Sequence, residues 1–432
     1  MNKALIKSLF IYGGSVGITR ILPLILLPVY LHFLGSDSYG RIEVIFALFN
    51  LLVIFGAIQL ETSLQRNFYK TKDKDLLYSA VISITSVLSL LIFFVVTYLS
   101  KEISILLLNS KSYASSIILI AITIFLFNIS TINQVYLRYS NCDIFFLLLN
   151  LIQVIISTLT TYVSLSIWNL KEVGYFLGLF SGWFSVTLIS SIFIFKKLHV
   201  NFKFNISNYE KILDFALPQL PARILSFFVQ FGNRFVVLSI LGAESVAKLA
   251  VSMKFTAILQ LFMVAFSMVW NPYIYKNEKT QDISKTINKT FKIIIIFLII
   301  AHVVTEYFST YIIFNFFPSQ LYDSTYYISI SMITIELLII KEIMESGIKL
   351  SKKTKYISYS YTISSIFMLT LMFFSRNLFE IILSTVIGNF ILVISTWYFS
   401  KKHPSMKVSP FFFIIYIIFI LYSLYTSYKN IQ

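Results

Sequence analysis

Thirteen long apolar stretches constrain this chain more than any other feature. They fall at about 8–33, 42–61, 76–99, 113–137, 144–167, 173–195, 212–240, 246–270, 291–313, 326–347, 356–375, 378–399 and 409–428. A helix of roughly 20 apolar residues crosses a bilayer core, and none of the stretches alternates in the way an outer-membrane barrel strand does. The sequence therefore predicts an all-α polytopic membrane protein. Charged residues make up 12% of the chain, against about 25% in soluble domains, which is too little to coat a globular surface of this size. The first stretch follows Met1-Asn2-Lys3-Ala4-Leu5-Ile6-Lys7 but contains Arg20, Pro23 and Pro28, with no small-residue cleavage motif. It is read as a retained span and not a signal peptide.

The net charge of +16 would suit a nucleic-acid surface if the basic residues were spread over one. They are not. With a cytoplasmic N-terminus, 23 of the 35 Lys and Arg fall in the inside loops. Only Arg41, Lys101, Lys111, Lys171, Lys248, Arg376 and Lys429 lie outside, and Arg20, Arg223, Arg234, Lys254 and Lys341 lie within spans. This asymmetry follows the positive-inside rule and orients the protein. Nucleic acid is excluded as a partner. The longest loop, 271–292, leaves no room for an extramembrane catalytic domain. Four His without ligand spacing and a single Cys, Cys142, predict neither a metal centre nor an internal disulfide.

The two halves repeat one motif. Leu34-Gly35-Ser36-Asp37-Ser38-Tyr39-Gly40-Arg41 follows the first span, and Leu241-Gly242-Ala243-Glu244-Ser245-Val246-Ala247-Lys248 follows the seventh, 207 residues later. Arg20-Ile21-Leu22 and Arg223-Ile224-Leu225 also recur, one helical turn out of register. Six spans separate the copies, so both halves share an orientation, as in parallel-repeat transporters. The expected division is 1–207 and 208–405, with 406–432 as an added hydrophobic helix and tail.

A charge at the bilayer centre costs at least about 2.5–3.5 kcal/mol, so each intramembrane charge needs a reason. Arg20 and Arg223 lie some eleven or twelve residues into their spans, roughly 17 Å deep at the helical rise. Gln219, Arg223, Gln230 and Arg234 are spaced four, seven and four, which holds them on one helical face. Two readings compete: structural pairing with buried acids and carbonyls, or a cationic lumen for an anionic substrate. Recurrence of the Arg in both halves favours the second. Lys254 is a weaker candidate that can snorkel outward, and Lys341 has a local partner in Glu345 one turn on. Glu336, deep in its span, ranks first as a proton- or sodium-coupling group; Glu61 and Asp214, at cytoplasmic span ends, suit gating. Pro23 and Pro28 in span 1, and Pro218 and Pro221 in span 7, are expected to interrupt the helices beside the Arg.

The chain resembles the Wzx-type polysaccharide flippases of the multidrug/oligosaccharidyl-lipid/polysaccharide exporter superfamily. The first half carries Arg20-Ile21-Leu22-Pro23, Pro28-Val29-Tyr30-Leu31, Leu34-Gly35, Tyr39-Gly40 and Glu61-Thr62-Ser63-Leu64-Gln65-Arg66-Asn67-Phe68-Tyr69. The second carries Leu217-Pro218-Gln219-Leu220-Pro221, Gly232-Asn233-Arg234-Phe235, Leu241-Gly242 and Val269-Trp270-Asn271-Pro272-Tyr273-Ile274-Tyr275-Lys276. The last resembles a Trp-x-Pro-aromatic-x-aromatic signature. Two departures stand out: Asn233 where the family often has Asp, and thirteen spans where twelve or fourteen are usual. The resemblance implies two six-helix bundles around a central cavity, and no enzyme activity or bound cofactor. Its implied activity is translocation of undecaprenyl-pyrophosphate-linked oligosaccharide across the bacterial inner membrane by alternating access, with a polysaccharide polymerase and chain-length regulator as partners. Arg suits a pyrophosphate because its planar fork binds two oxygens at once. The alternatives are a multidrug exporter of the same superfamily and an integral-membrane polymerase or ligase.

Overall fold

The computed structural model describes residues 3–68, 71, 73–140, 142–197, 212–276, 283–351, 353, 355–403, 406 and 408–431. Every regular element among them is helical, as lipid demands of a chain that must satisfy its own backbone hydrogen bonds. Ten described helices are long and apolar enough to cross a membrane, or eleven if Ala243–Phe255 and Ala257–Ser267, bent by 48°, form one span. All thirteen apolar stretches are found in helices, but not one for one. The first two lie on either side of the Gly35 kink in one long element, the second running past its end at Ala57, the eighth is the bent pair, and the tenth is the 17-residue helix Ile328–Met344, at the short end of what a crossing takes. The supposed loop 271–292 is helical up to Lys276 and again from Ile283.

Two compact units divide the chain, Met1–Phe227 and Phe228–Gln432. The first holds α1 (Lys3–Ala57), α2 (Leu60–Asn67), α3 (Lys74–Tyr98), α4 (Ser100–Leu108), α5 (Ala114–Tyr139), α6 (Asp143–Ser166) and α7 (Lys171–Lys197). Within it α1 packs on α3, α5, α6 and α7, and α6 lies against α7. Glycines at four-residue spacing allow that last approach: a Cβ on Gly178 would stand 1.9 Å from Thr161 Oγ1, and one on Gly182 2.8 Å from the Gln153 carbonyl. Without a hydrophobic drive between helices in lipid, such small-residue faces and buried polar bonds hold spans together. Asn133 supplies the latter, accepting from Tyr78 OH at 2.6 Å and donating to Ser190 Oγ at 2.9 Å, so α3, α5 and α7 share one side chain.

Residues 212–216 are helical, and a 3-10 turn at Leu217–Gln219 leads into α8 (Leu220–Phe231). Pro218 lies in that turn, and Pro221 occupies the first turn of α8, where a missing N–H costs little. The prolines of span 7 thus produce a tightened turn, with Ile212–Phe231 still running as one candidate span. In span 1, Pro23 and Pro28 sit inside the helix, and the break in α1 comes at Gly35, where two helices meet at a kink.

The second unit continues with α9 (Asn233–Leu241), α10 (Ala243–Phe255), α11 (Ala257–Lys276), α12 (Ile283–Phe316), α13 (Ile328–Met344), α14 (Ser346–Leu350), α15 (Lys355–Phe374), α16 (Leu378–Ser400) and α17 (Pro410–Ile431). Its centre is α13, buried on nearly every face among α10, α11, α12, α16 and α17. A helix apolar all round belongs in such a place.

The repeated motif has the same geometry in each unit. Gly35 has φ 73° and ψ 170°, and Gly242 has φ 81° and ψ 178°. Asp37 pairs with Arg41 at 2.6 Å, and Glu244 with Lys248 at 3.4 Å, each one turn apart. This corner of dihedral space is almost confined to glycine. A Cβ at either position meets nothing within 4 Å, so any penalty for a side chain comes from the backbone alone. Gly35→Ala and Gly242→Ala are each expected to cost about 1–3 kcal/mol, read as an earlier thermal unfolding transition in detergent, with the double variant lower than either single one.

Candidate functional site

In the first unit the structure brings α2 against the segment that leads into α8. Ser63 Oγ donates to the Ile212 carbonyl at 3.2 Å, and the Arg66 guanidinium stacks over the Phe215 ring at 4.1 Å. Glu61, half-buried at the start of α2, lies within electrostatic reach of Arg223. Arg223 itself is exposed on the first turn of α8, as is Asp214 just before it. Gln219 turns back to the chain, its Nε2 donating to the Phe215 carbonyl at 2.8 Å. Pro218 and Pro221 explain the local geometry: they tighten the start of span 7 into one 3-10 turn just before Arg223, while Ala216 and Leu220 on either side keep right-handed helical dihedrals. Arg66 at the Phe215 ring and Arg223 within reach of Glu61 thus set two cations and a carboxylate along the start of one span. Arg20 lies on α1, but its side chain falls outside the described residues.

Exposure separates the remaining members of the predicted stripe. Gly232 keeps right-handed helical dihedrals between α8 and α9. Gln230 is exposed, while Arg234 is buried, lies 5.0 Å from the Phe231 ring centre and donates to the Gln230 carbonyl at 3.3 Å. Lys254 occupies the last turn of α10, at the 48° bend into α11. The C-terminal carbonyl dipoles of α10 favour a cation there.

Lys341 forms the local bridge to Glu345 that its spacing suggests, within a larger cluster. Lys349 reaches Glu342 at 2.7 Å and Glu345 at 3.2 Å, and Lys341 stands 3.6 Å from Glu342. Two lysines and two glutamates thus cancel at the junction of α13 and α14.

Glu336 is fully buried near the middle of α13. One carboxylate oxygen is 2.8 Å from His302 Nδ1 of α12, and the other accepts from Tyr416 OH of α17 at 2.7 Å. Sequence reasoning chose Glu336 but missed both partners, along with Arg66, which had been counted only as a basic loop residue. An imidazole inside an apolar span was the available signal for His302. A search confined to metal-ligand spacing passes over it.

The ten long apolar helices, with a carboxylate–imidazole pair buried among them, define a polytopic helical membrane protein. The chain belongs to the polysaccharide biosynthesis protein family, whose model matches residues 5–278. No curated protein matches it. Among solved structures, a lipid II flippase, MurJ, in an inward closed conformation aligns with a TM-score of 0.75 at 18% identity, over 96% of this chain and 92% of that one. An inward-facing multidrug transporter of the MATE family and MOP superfamily aligns at 0.70 and 12% identity, over 90% and 94%. The MATE multidrug transporter DinF-BH aligns at 0.70 and 13% identity, over 94% and 96%. The fold is therefore the one shared by MATE transporters and this flippase.

Proposed function

We propose that this protein flips undecaprenyl-pyrophosphate-linked oligosaccharide, the repeat unit of an O-antigen or related surface polysaccharide, across the bacterial inner membrane. The family match over residues 5–278 carries the reading, because it joins polysaccharide biosynthesis to a chain whose fold is that of a flippase and of transporters. The orientation puts the N-terminus in the cytoplasm, as the clustering of Lys and Arg in alternate loops requires. Arg223, exposed on the first turn of α8, is the proposed pyrophosphate contact, with Arg66 on α2 as a second candidate and Arg20 the counterpart of Arg223 in the repeat. Arg234, Lys254, Gln219 and Gln230 extend the polar lining. An ion gradient drives the cycle of alternating access. Polymerase and chain-length regulator act on the delivered product.

Deleting the gene is expected to abolish surface polysaccharide while lipid-linked repeat units accumulate on the cytoplasmic leaflet. Drug sensitivity with intact polysaccharide would instead point to a multidrug exporter. Cationic drugs call for acidic contacts, whereas the start of span 7 carries the exposed Arg223 and meets Arg66 of α2, alongside Glu61 and Asp214.

A further inference from the structure

We infer that His302, Glu336 and Tyr416 form the proton-carrying site of this transporter and that α17 is an obligatory wall of it. The inference rests on the transport reading and supplies the site and the ion that the reading leaves open.

The three side chains are almost wholly buried and come from three helices. Glu336 uses both oxygens, one toward His302 Nδ1 and one toward Tyr416 OH. His302 uses both nitrogens: Nε2 lies 2.8 Å from Ser329 Oγ and 3.0 Å from Ser423 Oγ. The two serine hydroxyls also touch each other. A hydroxyl rotates freely between donor and acceptor. A neutral imidazole can therefore accept at Nε2 and a cationic one can donate there, with the heavy atoms unmoved.

Charge decides what the site holds. Carboxylate with neutral imidazole leaves one negative charge in a dry interior, whereas carboxylate with imidazolium carries none. Paired charges with satisfied hydrogen bonds are the form that burial tolerates. His is also the side chain whose ordinary titration range spans neutral pH. The titratable groups facing His302 are Glu336 from α13, Tyr416 from α17 and, one turn along α12, Glu306, whose carboxylate stands 3.9 Å from Nε2. Glu306 is 42% exposed and connects the buried pair to the protein surface. The hydrogen bonds that α10 and α16 make to α13 come from neutral groups: Ser252 meets Ser331, and Asn389 donates to the Thr334 carbonyl.

The role of α17 follows from its own spacing. Tyr416, Ile420, Ser423 and Ser427 are all buried and recur at intervals of four, three and four, a single helical face. Tyr422 and Tyr425 point away and are exposed. Two of the four buried positions thus carry the hydroxyls that close the His302–Glu336 network. The helix that looks like an appendage in sequence is the third wall of a proton site.

The test uses the full-length chain in lipid nanodiscs with nitrogen-15 histidine. A His32→Gln/His199→Gln/His403→Gln variant leaves His302 as the only labelled imidazole. Its nitrogen signals are expected to pass reversibly from neutral to cationic as the pH is lowered from alkaline to acid across the range in which the nanodisc stays intact. Tyr416→Phe should move that midpoint by about one pH unit, the equivalent of one hydrogen bond to a charged group, and Tyr425→Phe should leave it in place. A single protonation state across that range, an unmoved midpoint in Tyr416→Phe, or displacement of the proton by sodium would overturn the assignment. In proteoliposomes, an imposed pH gradient should accelerate lipid-linked oligosaccharide movement by wild type and not by Glu336→Gln, and an undiminished response in Glu336→Gln would also overturn it. Wild-type vesicles that move no oligosaccharide while His302 still titrates would refute the flippase reading and leave the proton site standing.

Discussion

Arg223→Ala is expected to remove surface polysaccharide while the protein reaches the membrane at its normal level. The side chain is exposed on the first turn of α8, so its removal opens no cavity, and surface truncations of this kind cost little stability. A hydrogen bond to a charged group contributes about 1.5–3 kcal/mol, so loss of a pyrophosphate contact should weaken substrate binding at least about tenfold. Arg223→Lys keeps the charge but not the planar fork, and should restore polysaccharide only in part. Arg20→Ala should match Arg223→Ala if the repeat supplies two equivalent contacts. Glu61 provides the control for a purely structural role, since it lies within electrostatic reach of Arg223. If Arg223 served only to neutralise Glu61, the double variant Arg223→Ala/Glu61→Gln would regain polysaccharide. The binding role predicts that it does not. Normal polysaccharide in Arg223→Ala, at normal protein level, would remove the cationic site altogether.

Lys341→Met should produce the largest loss of stability. Lys341, Glu342, Glu345 and Lys349 are nearly enclosed and carry no net charge together. Deleting one cation leaves two carboxylates sharing Lys349, and breaking a buried ion pair from one side costs about 3–5 kcal/mol. A loss of that size shows as a several-fold drop in membrane abundance and an earlier unfolding transition in detergent. Lys341→Met/Glu345→Leu removes a cation and an anion together and should recover most of the loss, since apolar replacement of a whole buried pair is often neutral. If the single variant is as abundant as wild type, the cluster is solvated and has no structural weight.

Much of the fold can be read from local spacing. The motif at Leu34–Arg41 recurs at Leu241–Lys248, and both its parts are local: a dihedral pair that favours glycine, and an acid–base pair one helical turn apart. Such features need no tertiary context, so similar letters produce similar geometry in each unit. The kinks were harder to place. Pro23 and Pro28 look like breaks, yet α1 runs through them, because a helix tolerates a missing N–H when neighbouring helices hold it in place. Pro218, by contrast, falls in a 3-10 turn at the mouth of α8. Proline marks where a bend is permitted, and packing selects which bends occur.

The candidate sites divide in the same way. Lys341 and Glu345 are neighbours by helical spacing and could be paired by inspection. The addition of Lys349 and Glu342 needed the turn between α13 and α14. Glu336 stood out as a lone deep carboxylate, but His302 and Tyr416 lie 34 and 80 residues from it in sequence. No periodicity connects them. Arg66 was hidden for the opposite reason: a segment rich in Lys accounts for any one basic residue within it.

By itself the sequence determined that this chain is a helical membrane protein and that its halves repeat one motif. Those properties follow from apolar length and spacing along one helix, both written into neighbouring residues. Tertiary structure alone decided that a kink at Gly35 separates the two apolar segments of α1, that α2 and Arg66 meet Ile212 and Phe215 ahead of α8, and that α17 closes the His302–Glu336 pair. Each of those depends on which helix faces dock together. In lipid that choice rests on small-residue contact and buried hydrogen bonds between distant segments, and it leaves no periodic trace in the chain.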